Sequence, residues 1–459
     1  MAVGKYEMDM CEGPLLKKML FFALPLMFSS MLQLLFNAAD TIVVGQFCGD
    51  NSLGAVGSNG ALINLLTNVF IGLSVGANVL VAKFYGAGNK ESLHDTVHTA
   101  VLMSLVCGVV LLVIGEVFAR QLLILMKTPA GILDLSTTYL RIYFLGMPAM
   151  MFYNFGSAIL RAVGDTKRPL YYLSFAGVVN VGLNLLLVIV FRLDVAGVAI
   201  ATVISQLISA VLVLRCLLKD SGSVRLSIKE LHINKHILGK ILRIGLPAGF
   251  QGSIFSLSNV VIQSSVNTFG EIVVSGNSAA ANIEGFVYMA MNAFHHTTLS
   301  FTGQNHGAGN MKRVRKTLLL GQACVTVTGL VFGQLVVLFG RPLLSIYTDT
   351  PEAIAAGMVR LTIICGTYFL CGNMDVMVGS LRGIGYAVMP MIVSLVGACG
   401  LRLLWIATVF RVPQYHTIDT VYLSYLVSWA ITTLVHVVCF VIVWKKIKTK
   451  NIADVTRLT

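Results

Sequence analysis

Residues 19–47 read MLFFALPLMFSSMLQLLFNAADTIVVGQF, and this stretch decides the class of the fold. It contains no Lys, Arg or Glu, and Asp40 is its only ionisable carboxyl. About 20 predominantly apolar residues cross a bilayer as a helix, so the segment is long enough to span. A charged carboxylate at the centre of a membrane helix costs about 2.5 kcal/mol even on the mildest scale. A helix keeps such a group where it faces a polar cavity, a partner or an ion. Asp40 is therefore a functional candidate on physical grounds alone.

The rest of the chain is of the same kind. Of its 459 residues, 56% are hydrophobic and 12% charged, and the mean hydropathy is +0.83. Soluble domains carry about 25% charged residues, which places this chain among polytopic membrane proteins. Its apolar segments do not alternate with period two, which argues against outer-membrane strands. Twelve spans are expected, at 15–44, 54–80, 96–118, 135–160, 170–191, 196–217, 244–268, 276–303, 317–340, 355–380, 387–410 and 419–444. The expected class is an all-α polytopic protein of twelve transmembrane helices in two pseudo-symmetric six-helix lobes. The nine Cys show no metal-ligand spacing and read as packed thiols. The N-terminal MAVGKYEMDMCEGPLLKK lacks a small-residue cleavage site, so the first apolar segment is expected to be retained.

The net charge of +13 does not point to nucleic acid, because no motif of that class is present and the basic residues gather in short loops. With both termini in the cytoplasm, 25 of the 33 Lys and Arg, from Lys5 to Arg457, fall inside, and eight lie outside or at outer helix ends. That asymmetry follows the positive-inside rule. Arg402 is the cation expected nearest mid-membrane. Glu271 and Asp50 are placed in outer loops, solvated.

An internal repeat organises the chain. GAGN at 86–89 recurs at 307–310, an offset of 221. Leu160-Arg161, Gly164 and Pro169 recur at the same offset as Leu381-Arg382, Gly385 and Pro390, and Leu24-Pro25 recurs at 222 as Leu246-Pro247. Three matches in one order argue for duplication. The expected domains are an N-terminal lobe at 1–217, a connection at 218–243 and a C-terminal lobe with a basic tail at 244–459. Six spans per half put both halves in the same orientation, with substrate expected between them. Within the connection, Ile237, Leu238, Ile241 and Leu242 alternate with basic residues, as expected of an interfacial helix or a solvated linker.

Several polar side chains fall inside apolar spans. Asn37 precedes Asp40 by three residues and neighbours it on a helix. Asn180 and Asn184 lie one turn apart in GVVNVGLNLLLV, where they serve as cation ligands or as interhelical hydrogen bonds. Glu284 lies in AAANIEGFVYMAMNAF and Asp375 in CGNMDVMVGSLRG, and the repeat maps Asp375 onto Asn154. Each acid is either a ligand for a cationic substrate or a structural partner. His295 and His296, like His94 and His98, read as satisfied helix histidines, because metal binding needs a third ligand in reach. Neither GxxxxGK[ST] nor HExxH occurs, so ATP hydrolysis and a zinc hydrolase are not supported and no cofactor is expected. Transport would then run on an ion gradient or passively.

KFYGAGNK and QNHGAGNM, LRAVGDTKRP and LRGIGYAVMP, VAGVAIATVISQ at 195–206, and Asp40 in the first span together resemble the multidrug and toxic compound extrusion (MATE) transporters, bacterial members above all. The resemblance runs from about residue 15 to 445. It implies two six-helix lobes around a cavity that alternates between the two sides of a bacterial plasma membrane. It also implies a monomer that expels amphipathic, often cationic, small molecules in exchange for protons or sodium ions. Asp40 matches the acid implicated in cation coupling. The fifth-span partner pair, often Asn followed by Asp, is here Asn180 and Asn184, so the second carboxylate is missing. Glu284 and Asp375 are the candidates for second-half acids that bind cation or drug. A lipid-linked oligosaccharide flippase of similar fold is the alternative; it would need several cations inside the cavity.

Overall fold

The computed structural model describes residues 6–456, apart from the side chains of residues 50 and 450–456. Lys5 and Arg457 lie outside the described residues, as do the side chains of Lys450, which the charge pattern also counted, and of Asp50, expected in an outer loop. No strand occurs among the described residues. The helices are α1 Leu15–Phe47, α2 Asp50–Gly86, α3 Lys90–Leu125, α4 Ala130–Leu145, α5 Met147–Ala162, α6 Lys167–Leu185, α7 Asp194–Lys219, α8 Lys235–Asn267 and α9 Glu271–Gly307. They continue as α10 Met311–Leu338, α11 Gly340–Leu344, α12 Pro351–Arg360, α13 Phe369–Ile384, α14 Val388–Ser394, α15 Leu401–Ala407 and α16 Ile418–Thr456.

Each of the twelve expected spans lies on one helix or one broken pair of helices: α4 with α5, α12 with α13, and α14 with α15. Eight continuous passes are individually long and apolar enough to cross a membrane, and α12–α13, bent by 43°, makes a ninth. The other three have visible reasons for falling short. The α4–α5 pass is interrupted at Gly146. The apolar character of α8 is diluted by Ser and Gln, and that of α9 by Asn277, Glu284, Asn292, His295 and His296. In a bilayer, polar side chains of this kind turn toward protein rather than lipid.

The chain forms two compact units. One holds the residues up to Ser256 together with Ser300–Val314; the other holds Leu257–Leu299 and everything from Arg315 onward. In the first unit α2 and α8 cross closely. Added Cβ atoms at Gly72 and Gly76 would strike the backbone of Gly249 and of Ile241, and at Gly245 that of Leu73. The matching GLSVG and GLPAG sequences are small-xxx-small pairs, which let membrane helices gain van der Waals contact at short range. This contact corrects the expectation of an interfacial helix in the connection. Residues 235–243 are the first turns of α8, with Ile237 and Ile241 buried in protein.

The repeat is legible in the backbone. Gly88 and Gly309 take φ of 68° and 71°, and Gly164 and Gly385 take 97° and 105°, the left-handed region that favours glycine. After each GAGN turn the Asn caps the next helix: Asn89 accepts from the Ser92 N–H (2.9 Å) and Asn310 from the Arg313 N–H (3.1 Å). The segment before α1 is tied to the same end of the first unit. Met10 is buried; its N–H donates to Gln304 (3.2 Å) and its carbonyl accepts from Asn305 (3.2 Å) and Arg313 (2.9 Å).

Candidate functional site

Three helices of the first unit each present a polar stripe at helical spacing to one cavity. On α1 the stripe is Gln33, Asn37 and Asp40; on α6 Asn180 lines the cavity, and Asn184, one turn later, lies behind the lining against Asp40; on α7 the stripe is Thr202, Ser205, Gln206 and Ser209. Residues spaced by three, four and seven share a helix face, so the fold turns these stripes inward together. Gly177 on α6 permits the approach, because any Cβ there would enter the Phe36 ring of α1.

Asp40 is half-buried, while Asn180 and Asn184 are buried. The Asn184 amide donates to Asp40 Oδ1 and also to Asn180 Oδ1 (3.3 Å). Both donors of that amide are thereby engaged. Its own carbonyl oxygen is buried without a hydrogen-bond partner. An orphaned buried acceptor costs about 1–3 kcal/mol. Here it lies beside a carboxylate that no Arg or Lys among the described residues pairs with. An acceptor oxygen next to an unneutralised carboxylate suits a cation or a proton. The cavity has a volume of about 80 Å³, whereas drug-sized ligands occupy about 300–1,000 Å³. The space therefore fits an ion with its water and is too small for an organic substrate. Asn154, expected with the second-half acids, instead lines this cavity, its amide donating to the Met150 carbonyl (2.8 Å).

The acids of the second unit are placed differently. Glu284 is 9% exposed and accepts from Arg360 Nε (2.9 Å) and Nη2 (2.7 Å). Arg360 Nη1 donates to Asn277 Oδ1 (2.7 Å), which also accepts from the Tyr422 hydroxyl (2.9 Å). This bidentate pair neutralises Glu284, which is thus not the free carboxylate expected to attract a cationic substrate. The Arg360 side chain turns inward from the last turn of α12 toward α9. Asp375 on α13 is half-buried beside the Tyr288 hydroxyl, and its backbone carbonyl accepts from His295 Nδ1 (2.6 Å). Arg402 is buried against the rings of Tyr425 (4.1 Å) and Trp429 (5.3 Å) and donates to Ser428 (2.9 Å). Arg360 and Arg382 are buried as well.

A larger cavity of about 670 Å³ lies in the second unit between α10, α13 and α16. It is lined by Gln322, Asn373, Met377 and Phe440 and rimmed by Arg315, Lys445 and Lys448. Neither Glu284, Asp375 nor any of the three buried Arg lines it. Its cationic rim does not suit a cationic ligand.

The comparison with known proteins agrees with this architecture. A family model described as MatE matches residues 25–186 and again 247–407, one match in each half of the repeat. Among curated relatives, the probable multidrug resistance protein YpnP of Bacillus subtilis is 30% identical, over 86% of this chain and 88% of its own. The probable multidrug resistance protein YoeA of the same organism is 28% identical over 94% of both chains. A solved multidrug resistance MATE family transporter in an outward-facing conformation superposes with a TM-score of 0.90 at 20% identity, covering 99% of this chain and all of its own.

Proposed function

The chain belongs to the MatE family, and on that premise we propose that it is a cation-coupled antiporter that expels small organic molecules by alternating access. It is a multi-pass membrane transporter, and its similarity to multidrug resistance proteins supports small-molecule efflux. The coupling ion, a proton or sodium, binds at Asp40 with Asn180, Asn184 and Asn37 around it. The observation that carries this reading is the unneutralised Asp40 carboxylate, which lines a space of ionic size and is held by the Asn184 amide.

Coupling requires that ion and substrate favour different states of one protein, because a ligand shifts an equilibrium only by its differential affinity. In the state open to the exterior, Asp40 takes up the ion and substrate leaves. In the state open to the cytoplasm, the ion leaves and substrate binds. Alternating access of this kind is the pattern of transporters built from repeats. Both termini face the cytoplasm, in keeping with the basic asymmetry. Of the second-half acids, Asp375 remains the substrate candidate, with amphipathic organic cations as the class. Glu284 is assigned to the structural pair with Arg360. The protein acts as a monomer in the plasma membrane.

The test is uptake of a fluorescent organic cation into inside-out vesicles carrying the purified protein, under a proton gradient and then a sodium gradient. Wild type is expected to respond to one of the two and Asp40→Asn to neither. Equal gradient-driven uptake by wild type and Asp40→Asn would refute the assignment.

A further inference from the structure

The connection between the halves meets α3 in a cluster of metal-binding side chains. His94 and His98 stand one turn apart near the start of α3, in the sequence HDTVH. Their ring centroids are 3.9 Å apart, so both imidazoles point the same way. The third ligand that the sequence did not place comes from 136 residues further along: Glu230 Oε2 lies 2.9 Å from His94 Nε2. One ligand atom from each of His94, His98 and Glu230 can be chosen with all three within 4.8 Å of one another.

The surroundings prepare these groups for a metal. His98 Nδ1–H donates to the His94 carbonyl (2.8 Å), which leaves Nε2 with its lone pair. That lone pair accepts from the Ser227 N–H (3.1 Å), with the Ser227 carbonyl 3.2 Å away, and a metal bound at Nε2 takes the place of this contact. A backbone hydrogen bond on the far nitrogen is the usual way a ligating His is oriented. Asp95 is held by the Asn234 amide (2.7 Å) and faces His232 Nε2 at 3.2 Å, while His232 Nδ1–H donates to the Glu230 carbonyl (2.8 Å). Glu230 and His94 are exposed, so an ion reaches them from solvent. Metal–nitrogen and metal–oxygen bonds are about 2.0–2.2 Å for zinc, so small side-chain rotations close the three atoms around one ion.

We propose that His94, His98 and Glu230 bind a divalent transition-metal cation of the zinc type, which staples the connection between the two halves to α3. Two imidazoles and one carboxylate form a borderline-soft set that selects zinc and its neighbours over magnesium or calcium. Water takes the fourth position, and His232 and Asp95 support the shell. A staple here fixes the connecting segment, so metal availability would tune how freely that segment moves during transport.

The test is titration of the full, tag-free chain in detergent with Zn2+, followed by calorimetry and by competition with a chelating dye. One equivalent is expected to bind, with affinity lowered at least about tenfold in His98→Gln and in Glu230→Gln. His416→Gln, remote in sequence and outside this cluster, serves as control and is expected to bind as wild type does. Thermal unfolding without metal verifies that each variant is folded; should His98→Gln fail, the exposed Glu230→Gln and His94→Gln carry the test. Co2+ in place of Zn2+ is expected to give the visible absorption of a four-coordinate site. Absence of Zn2+ binding in wild type, or unchanged binding in the folded variants, would overturn the proposal.

Discussion

Asp40 and Glu284 are both acids inside helical passes, and the protein treats them in opposite ways. Glu284 is closed off: Arg360 grips it with two hydrogen bonds, and Asn277 and Tyr422 hold the Arg. Asp40 is left open, with amides rather than a cation beside it and a buried carbonyl oxygen still unpaired. A neutralised pair inside a protein is a structural element whose loss exposes an uncompensated charge. A carboxylate held only by neutral donors, here the Asn184 amide and the Thr202 hydroxyl, keeps its appetite for a cation. The presence of a buried acid is therefore not the functional signal; the absence of a fixed counter-charge is.

The largest expected effect is on transport. Asp40→Asn should lower ion-driven efflux about 100-fold, the scale of a full coupling energy, while purified protein unfolds at nearly the wild-type temperature. Vesicle transport and thermal unfolding measured together decide this. Breaking the other pair should do the reverse. Arg360→Met should destabilise by about 3–5 kcal/mol by stranding a buried carboxylate, and adding Glu284→Leu should recover most of that loss. Denaturant melts of the two single variants and the double variant complete the cycle; equal losses in single and double variants would erase the contrast with Asp40. Asn184→Leu removes a hydrogen bond to a charged group, worth about 1.5–3 kcal/mol, and should weaken ion binding about tenfold or more in a direct binding assay. The smallest effect is expected for Tyr422→Phe, which costs about 1 kcal/mol of stability and leaves transport unchanged.

The helical passes and the repeat were legible because they rest on local signals: apolar length, Pro and Gly positions, and the twin GAGN turns. Asp40 was legible because a lone acid among apolar residues is conspicuous in any order of reading. Its contact with Asn184 was not, because the two lie 144 residues apart and nothing local encodes helix neighbours. The stripe on α7 was available at spacing three, four and seven, yet Thr, Ser and Gln are mild signals in a membrane helix, where they also bond their own backbone, as Thr202 does to the Val198 carbonyl (3.0 Å). The grip of Arg360 on Glu284 was not legible either, because the two lie 76 residues apart. The His94 cluster escaped for the same reason as Asn184: its third ligand lies across a long connection.

The most direct test of the Asp40 assignment is the release of the bound ion when substrate is added. Purified wild-type protein, equilibrated with sodium or poised in weak buffer, receives a transported organic cation, and the released sodium or protons are counted. One ion released per wild-type molecule, and none from Asp40→Asn that still binds substrate, is the predicted result. Undiminished release from Asp40→Asn would place the coupling site elsewhere and contradict the account.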